Sequence, residues 1–384
     1  MFKEFASLTR KYKMKIVIAM LILIVPMGVY AVRASILMYN NKVETVSKYD
    51  QTPLIDDAKM AELTIVEGSV PVKTGMYMES ITNVSVSNNS WQNTFLLWFR
   101  WNDADDPMGY LKDPADYPGN RFIIGNGSFS PASKTLMIDR HGVEDGLPAG
   151  EHYQQYRISS TVEKYFDTTR YPLDSHQLKI FIEDERDMSR VRLIPDDEFS
   201  GVSPYLTVAG FDVINTTCGS YLNEYSSKMN DPVFENVAFE TEGKKTMEFV
   251  FVTRVARSGY GLFLKAFLSL FGMLLWVCIG LYNNAYNRVD AMGAMNTGIF
   301  GAVSSMIVGM NLLSDARGSG LIEYVNFFAL AMILITTVYV ISINRARARK
   351  EDVTYTDCYA QMLFWAVVIL TVATIASFIL TAAV

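Results

Sequence analysis

Read as alternating polar and apolar positions, the chain changes character twice. A basic stretch from Met1 to Lys15 precedes an apolar run, Ile16 to about Met38, broken only by Pro26, Gly28 and Arg33. From Tyr39 to Arg257 the apolar residues come in short, often alternating runs separated by Asn, Gly, Pro and Asp. That period of two is the mark of strands buried on one face. After Arg257 four long apolar segments follow at 260–282, 290–313, 321–343 and 358–384, each long enough to cross a bilayer. The fold class expected is an all-β sandwich followed by an all-α four-helix membrane bundle. The boundaries are 1–38 for a basic tail and anchor, 39–75 for a linker with a short helix near 57–66, 76–257 for the sandwich of eight to ten strands, and 258–384 for the bundle.

The second of the four segments, Arg288 to Leu313, departs from its neighbours. Asp290, Thr297, Ser304 and Asn311 stand seven apart, which on a helix places them on one stripe drifting by only ~20° per step. Polar groups in hydrocarbon must meet other helices or water, so the stripe either glues helices together or lines an aqueous path. Gly293, Gly298, Gly301 and Gly309 permit close packing and favour glue when the segment is read alone.

Charge then fixes direction. Arg345, Arg347, Arg349 and Lys350 lie between the last two segments and Arg288 between the first two. The positive-inside rule makes both loops cytoplasmic, with the β domain and the C-terminus outside. The first apolar run reads either as a cleaved signal or as a retained anchor with its basic flank inside; the anchor is the expectation carried forward. Half of the 384 residues are hydrophobic, yet 19% are charged, which suits a mixed membrane and water-soluble protein. A net charge of −6 supplies no basic field for nucleic acid. No nucleophile–base set, metal motif or phosphate loop is visible, so an enzyme is not expected. Cys218, Cys278 and Cys358 form no disulfide framework, and His141, His152 and His176, which lack metal-ligand spacing, are read as structural.

The ordered set of motifs resembles the pentameric ligand-gated ion channels, the Cys-loop receptor superfamily. Trp101-Asn102-Asp103 is similar to the family's W-x-D, Tyr171-Pro172-Leu173-Asp174 to its aromatic-Pro-x-Asp turn, and Phe249 to Leu268, with Arg257, to the last strand entering the first membrane helix. The resemblance covers about Val70 to Val384. Lys164 and Leu178 stand where animal members have loop cysteines, and an N-terminal anchor is not a usual family feature, so the likeness is to a bacterial-type member with an extra helix.

The resemblance implies a homopentamer in membrane lipid, conducting ions along the helix 290–313. A ring of Asp290 at the cytoplasmic mouth would favour cations; the rival reading is that Asp290 caps its helix. Thr297, Ser304 and Asn311 would offer polar groups to permeant ions, and Phe300, Ile307 and Val308 a hydrophobic constriction. Tyr171, Pro172, Asp174, Arg257, Asp315 and Arg317 would couple the two domains, with Asp174 paired to Arg257. A ligand site between neighbouring β domains would involve Trp98, Glu183, Asp184, Glu185, Tyr221 and Tyr225, taking a small cationic ligand, protons or Ca²⁺. No cofactor is expected; Asp103, Asp105 and Asp106 invite the same Ca²⁺ reading but lack the spacing and glycine of a calcium loop, and for both acidic groups solvated surface charge is the alternative. The alternative is a non-conducting membrane receptor or assembly scaffold on the same fold.

Overall fold

The computed structural model describes residues 2–50, 54, 68–225, 245–259, 261–312 and 319–383. The chain forms two compact units.

The first comprises residues 48–166 and 175–258 and is a two-sheet β-sandwich. Its eleven strands among the described residues are β1 (Val70–Ser85), β2 (Ser90–Asn102), β3 (Phe122–Ile124), β4 (Gly127–Ser128), β5 (Lys134–His141), β6 (Glu151–Glu163), β7 (Ser175–Asp184), β8 (Val191–Pro195), β9 (Gly201–Val202), β10 (Phe211–Glu224) and β11 (Lys245–Arg257). The larger sheet runs β4-β6-β2-β1-β8, with β5 also on β6 and β9 on β1; the smaller runs β10-β11-β7-β3. Alternation explains the layering. Phe95, Leu97 and Phe99 of β2 face Leu178, Ile180 and Ile182 of β7 and Phe249 and Phe251 of β11 in one core. The intervening residues point to the two outer faces. The strand expected from Met76 already begins at Val70, because Val70 and Val72 are buried in the same core and β8 pairs alongside them in parallel.

The second unit comprises residues 1–47, 167–174 and 259–384. After a short helix, Phe2–Ser7, it holds α1 (Arg10–Thr45), α2 (Gly261–Tyr286), α3 (Met292–Leu312), α4 (Leu321–Ala348) and α5 (Val353–Ala383). Among the described residues, five helices are long and apolar enough to cross a membrane. α2 packs on α3 and α5, and α4 likewise on α3 and α5, so α3 and α5 occupy opposite corners of the four-helix square. The segment expected to start at Asp290 is helical only from Met292, and the anchor expected to end near Met38 continues to Thr45.

α1 is seated rather than loose. Ile16, Met20, Leu23, Met27, Ala31, Ala34 and Met38 are its buried residues, a spacing of three and four that makes a single coiled-coil-like seam. The seam meets α4 and α5. The Tyr30 hydroxyl donates to the Tyr324 carbonyl at 3.1 Å, and the Tyr339 hydroxyl to the Ala19 carbonyl at 2.9 Å. Replacing Ala34 with Phe inserts a ring where the structure leaves 2% exposure. It is expected to cost ~1–3 kcal/mol by overpacking, read as a lower thermal midpoint in detergent; an unchanged midpoint would mean that the helix is not seated there.

The aromatic-Pro-x-Asp turn corrects the expected domain boundary. Residues 167–174, between β6 and β7 in sequence, belong to the helical unit. Asp167, Thr169, Arg170, Tyr171 and Asp174 are all buried, and Tyr171 joins the helices' apolar core. The Leu321 N–H that opens α4 donates to the Thr169 carbonyl at 2.8 Å. Beside it, a Cβ at Gly320 would stand 2.7 Å from that same carbonyl oxygen and 2.9 Å from the Thr169 Cα. Both are backbone atoms, so glycine is required for the approach. Gly320→Val should push the turn off the start of α4 and cost ~1–3 kcal/mol, measured as a lower unfolding midpoint. A variant as stable as the wild type would show that the contact is dispensable.

Candidate functional site

α3 buries Met295, Gly298, Ala302, Ser305 and Gly309 against its neighbours and leaves the opposite side bare. The bare side carries Thr297, Phe300, Ser304, Ile307, Val308 and Asn311; Phe300, a large aromatic, is 78% exposed. Gly293 is exposed with open space around it, but Gly298 and Gly309 do serve close packing, as the glue reading requires, since a Cβ at Gly298 would meet Val277 at 2.5 Å and one at Gly309 would meet Ile322 at 2.7 Å. They lie on the buried side, away from the Thr297 and Ser304 hydroxyls. Packing and polarity thus occupy different faces of one helix, which reading the stripe alone could not separate.

At the start of α3, Asp290 does act as a cap. Its Oδ1 accepts the Met292 N–H at 3.0 Å and the Asn344 Nδ2–H at 2.7 Å. Asn284 of α2 extends the network, donating to the Val289 carbonyl at 2.9 Å. Asp290 itself stays exposed, so capping and presenting a charge at this end of the helix are compatible. Nearby, Arg288 and Arg347 both pair with Asp357, at 2.6 and 3.6 Å. Asp315 and Arg317 lie outside the described residues.

Asp174 is 2% exposed within the helical unit. In the sandwich, the Arg257 guanidinium lies 4.0 Å from the centre of the Phe211 ring, a cation–π geometry. Phe211 in turn packs edge-on to His176, and His176 to Phe166.

The expected ligand residues separate into distinct settings. Asp184 is buried and held bidentate by Arg186, at 2.7 and 2.8 Å, and Arg186 also donates to the Tyr110 and Asp116 carbonyls. That pair ties the loop bearing Tyr110 and Asp116 to the sandwich. Glu185 is exposed and pairs loosely with Arg121 at 3.4 Å. Glu183 differs. It sits on the outer face of the smaller sheet, one step beyond the paired Ile182 and Phe249, next to Glu248. Both glutamates are buried, at 2% and 3% exposure. The Tyr225 hydroxyl donates to both Glu183 oxygens at 2.8 and 2.7 Å, and Thr246 Oγ1 donates at 3.1 Å. Asn223 Nδ2 donates to Glu248 at 2.7 Å, and Tyr221 is its cross-strand partner. Burial, together with the Glu183 charge, pushes the Glu248 carboxyl up to about 8, against the pull of the Asn223 donor. Burial and the adjoining carboxylate also push the Tyr225 phenol up. This carboxylate pair was only half visible in the sequence. Glu183 was singled out there, whereas Glu248, 65 residues on inside an apolar strand, was not; its signal was a lone acidic residue at an apolar position.

Trp98 belongs to the other outer face. Its Nε1 donates to Asp196 at 3.0 Å. The ring lies across Gly75, where a Cβ would come within 2.3 Å of it.

The three acidic residues after β2 do not converge either. Asp106 is buried and accepts the Tyr110 and Leu111 N–H groups at 2.8 and 2.7 Å, while Asp103 bonds to His152. Among the described residues no group of three or more His, Cys, Asp or Glu is placed to hold a metal ion. No protein-family model matches the chain, and neither does any curated protein.

Proposed function

We propose that the protein is a pentameric, ligand- or condition-gated ion channel of the Cys-loop receptor type, cation-selective, with α3 lining the pore. The observation that carries the reading is the bare side of α3. In a bundle standing alone in lipid, a face bearing Thr297, Ser304 and Asn311 would leave polar groups in hydrocarbon. Five copies turned inward place them on water, with Phe300, Ile307 and Val308 as apolar rings between them. The square of helices supports this, since α3 is diagonal to α5 and five α3 helices can meet at an axis while α5 and α1 remain outside.

The sandwich supports the ligand-gated part. Trp98 and the Glu183–Glu248 pair lie on opposite outer faces of one copy, so copies set side by side would turn the face carrying one towards the face carrying the other. The buried turn 167–174, wedged at the start of α4, supplies a mechanical link from chain between β6 and β7 to the membrane helices. An Asp174–Arg257 ion pair remains part of the proposal. Its test is charge reversal at each position singly and together, since failure of the double variant to restore gating would remove the pair. The tight seam of α1 supports a retained anchor with its basic end in the cytoplasm.

Purified protein reconstituted in a planar bilayer tests the whole. Unitary cation currents that respond to pH or to a small cationic ligand are expected. Their absence across pH, Ca²⁺ and voltage, with particle images lacking fivefold symmetry, would sink the channel and leave the non-conducting scaffold. That rival draws on α1, an additional helix in a position to reach other membrane partners.

A further inference from the structure

The β5–β6 hairpin brings together two histidines that stand eleven apart in the chain. His141 and His152 are cross-strand partners, and their Nδ1 atoms are 2.7 Å apart. Each ring uses its other nitrogen on a carboxylate: His141 Nε2 lies 2.9 Å from Asp139 Oδ1, and His152 Nε2 lies 3.0 Å from Asp103 Oδ1. Ionised carboxylates only accept hydrogen bonds, so each Nε2 donates to its carboxylate and, with both rings neutral, the two Nδ1 atoms face each other with lone pairs. Such a contact needs a cation between the rings, either a proton that makes one ring an imidazolium or a metal ion.

We propose that His141 and His152 form a binding site for an exchangeable transition-metal ion of the Zn²⁺ class, coordinated through their Nδ1 atoms. The arrangement of each ring, with one nitrogen turned to the shared spot and the other donating to a carboxylate, is the one that metal-bound histidines adopt, because the carboxylate fixes the tautomer and strengthens the ligand. The support is built in. Gln154 Nε2 donates to Asp139 at 3.0 Å, and Trp101 stacks on His152 with 13° between the planes. Tyr117 packs against both rings. The backbone N–H of His141 donates to Asp145 at 2.7 Å, which holds the end of β5 in place.

Size and accessibility agree with this assignment. Two imidazole nitrogens on a tetrahedral zinc lie about 3.3 Å apart, given bonds of about 2.05 Å, so the rings need part by only about 0.6 Å. The His141 and His152 side chains retain 32% and 13% exposure, which leaves an approach from solvent. With two protein nitrogens, the remaining positions fall to water. This separates the site from the closed four-ligand sites that hold zinc permanently, and imidazole donors turn it from Ca²⁺ towards Zn²⁺, Ni²⁺ or Cu²⁺. It is independent of the reading of the protein as a channel.

Isothermal titration of ZnCl₂ into the full-length protein in detergent, first stripped with a chelator, should show one saturable site per chain that CaCl₂ does not fill. His141→Ala and His152→Ala should each weaken zinc by at least about tenfold, the scale on which even outer-shell losses act. X-ray absorption on the zinc-loaded wild type, which needs no variant to fold, should show two imidazoles per metal. Absence of saturable zinc binding would overturn the proposal and leave a shared proton between the rings. Unchanged affinity in both variants, or fewer than two imidazoles in the absorption spectrum, would overturn it as well.

Discussion

If the proposed channel conducts, Asp290→Asn is expected to move its reversal potential under a KCl gradient most of the way from the potassium value towards zero and to lower unitary conductance several-fold. The substitution isolates charge from structure. Asp290 Oδ1 accepts the Met292 N–H and the Asn344 amide, and an asparagine Oδ1 can accept both. Asn and Asp cap helices about equally, so the change in stability should stay under about 0.5 kcal/mol. What disappears is one negative charge per copy, five around the proposed mouth, within a Debye length of about 8–10 Å of any ion entering. Alanine would confound the test, since it removes the cap and the charge together. An unchanged reversal potential with normal expression would reject Asp290 as the selectivity ring.

The second expectation concerns the pair Glu183 and Glu248. Glu248 holds its proton in the folded protein up to about pH 8, whereas in the unfolded chain it would lose it near the ordinary glutamate value. A raised folded-state value means that the native state binds more protons than the unfolded state across that interval. Stability from this group is therefore fully present below about pH 4.5, declines as pH rises, and is gone once pH passes about 8. Ionising Glu248 places a charge in a buried site beside a second carboxyl, which disfavours the folded state. Glu248→Gln keeps a donor for Glu183 and an acceptor for Asn223 while abolishing titration. The thermal midpoint of the wild type should fall between pH 6 and pH 9, and that slope should be largely lost in the variant. Currents that respond to alkaline pH should lose the response in parallel. Equal slopes in the two proteins would show that the pair does not sense pH.

The fold was legible because its two periodicities are strong. Alternation at Phe95, Leu97 and Phe99 needs only a period of two to predict one buried face, and four apolar runs after Arg257 need only length. The site was legible in part. The seven-residue spacing of Thr297, Ser304 and Asn311 placed them on one stripe, and the structure leaves that stripe bare. The same arithmetic could not tell that Gly298 and Gly309 serve the opposite face, because helix contacts depend on which neighbours arrive. Reading Glu183, Asp184 and Glu185 as one acidic group failed for a similar reason. Successive strand residues point to different surroundings, so Arg186 takes Asp184, solvent takes Glu185, and Tyr225 takes Glu183.

By itself, then, the sequence determined the class of each segment, the order of sandwich and helices, and the helix that carries polar groups, since these follow from local period, length and charge. Only the tertiary structure decided which distant residues meet. It put Glu248 beside Glu183, His152 against His141 and the turn 167–174 with the helices at Gly320. Such meetings are set by strand register and helix packing, which bring together residues whose separation along the chain carries no trace of the contact.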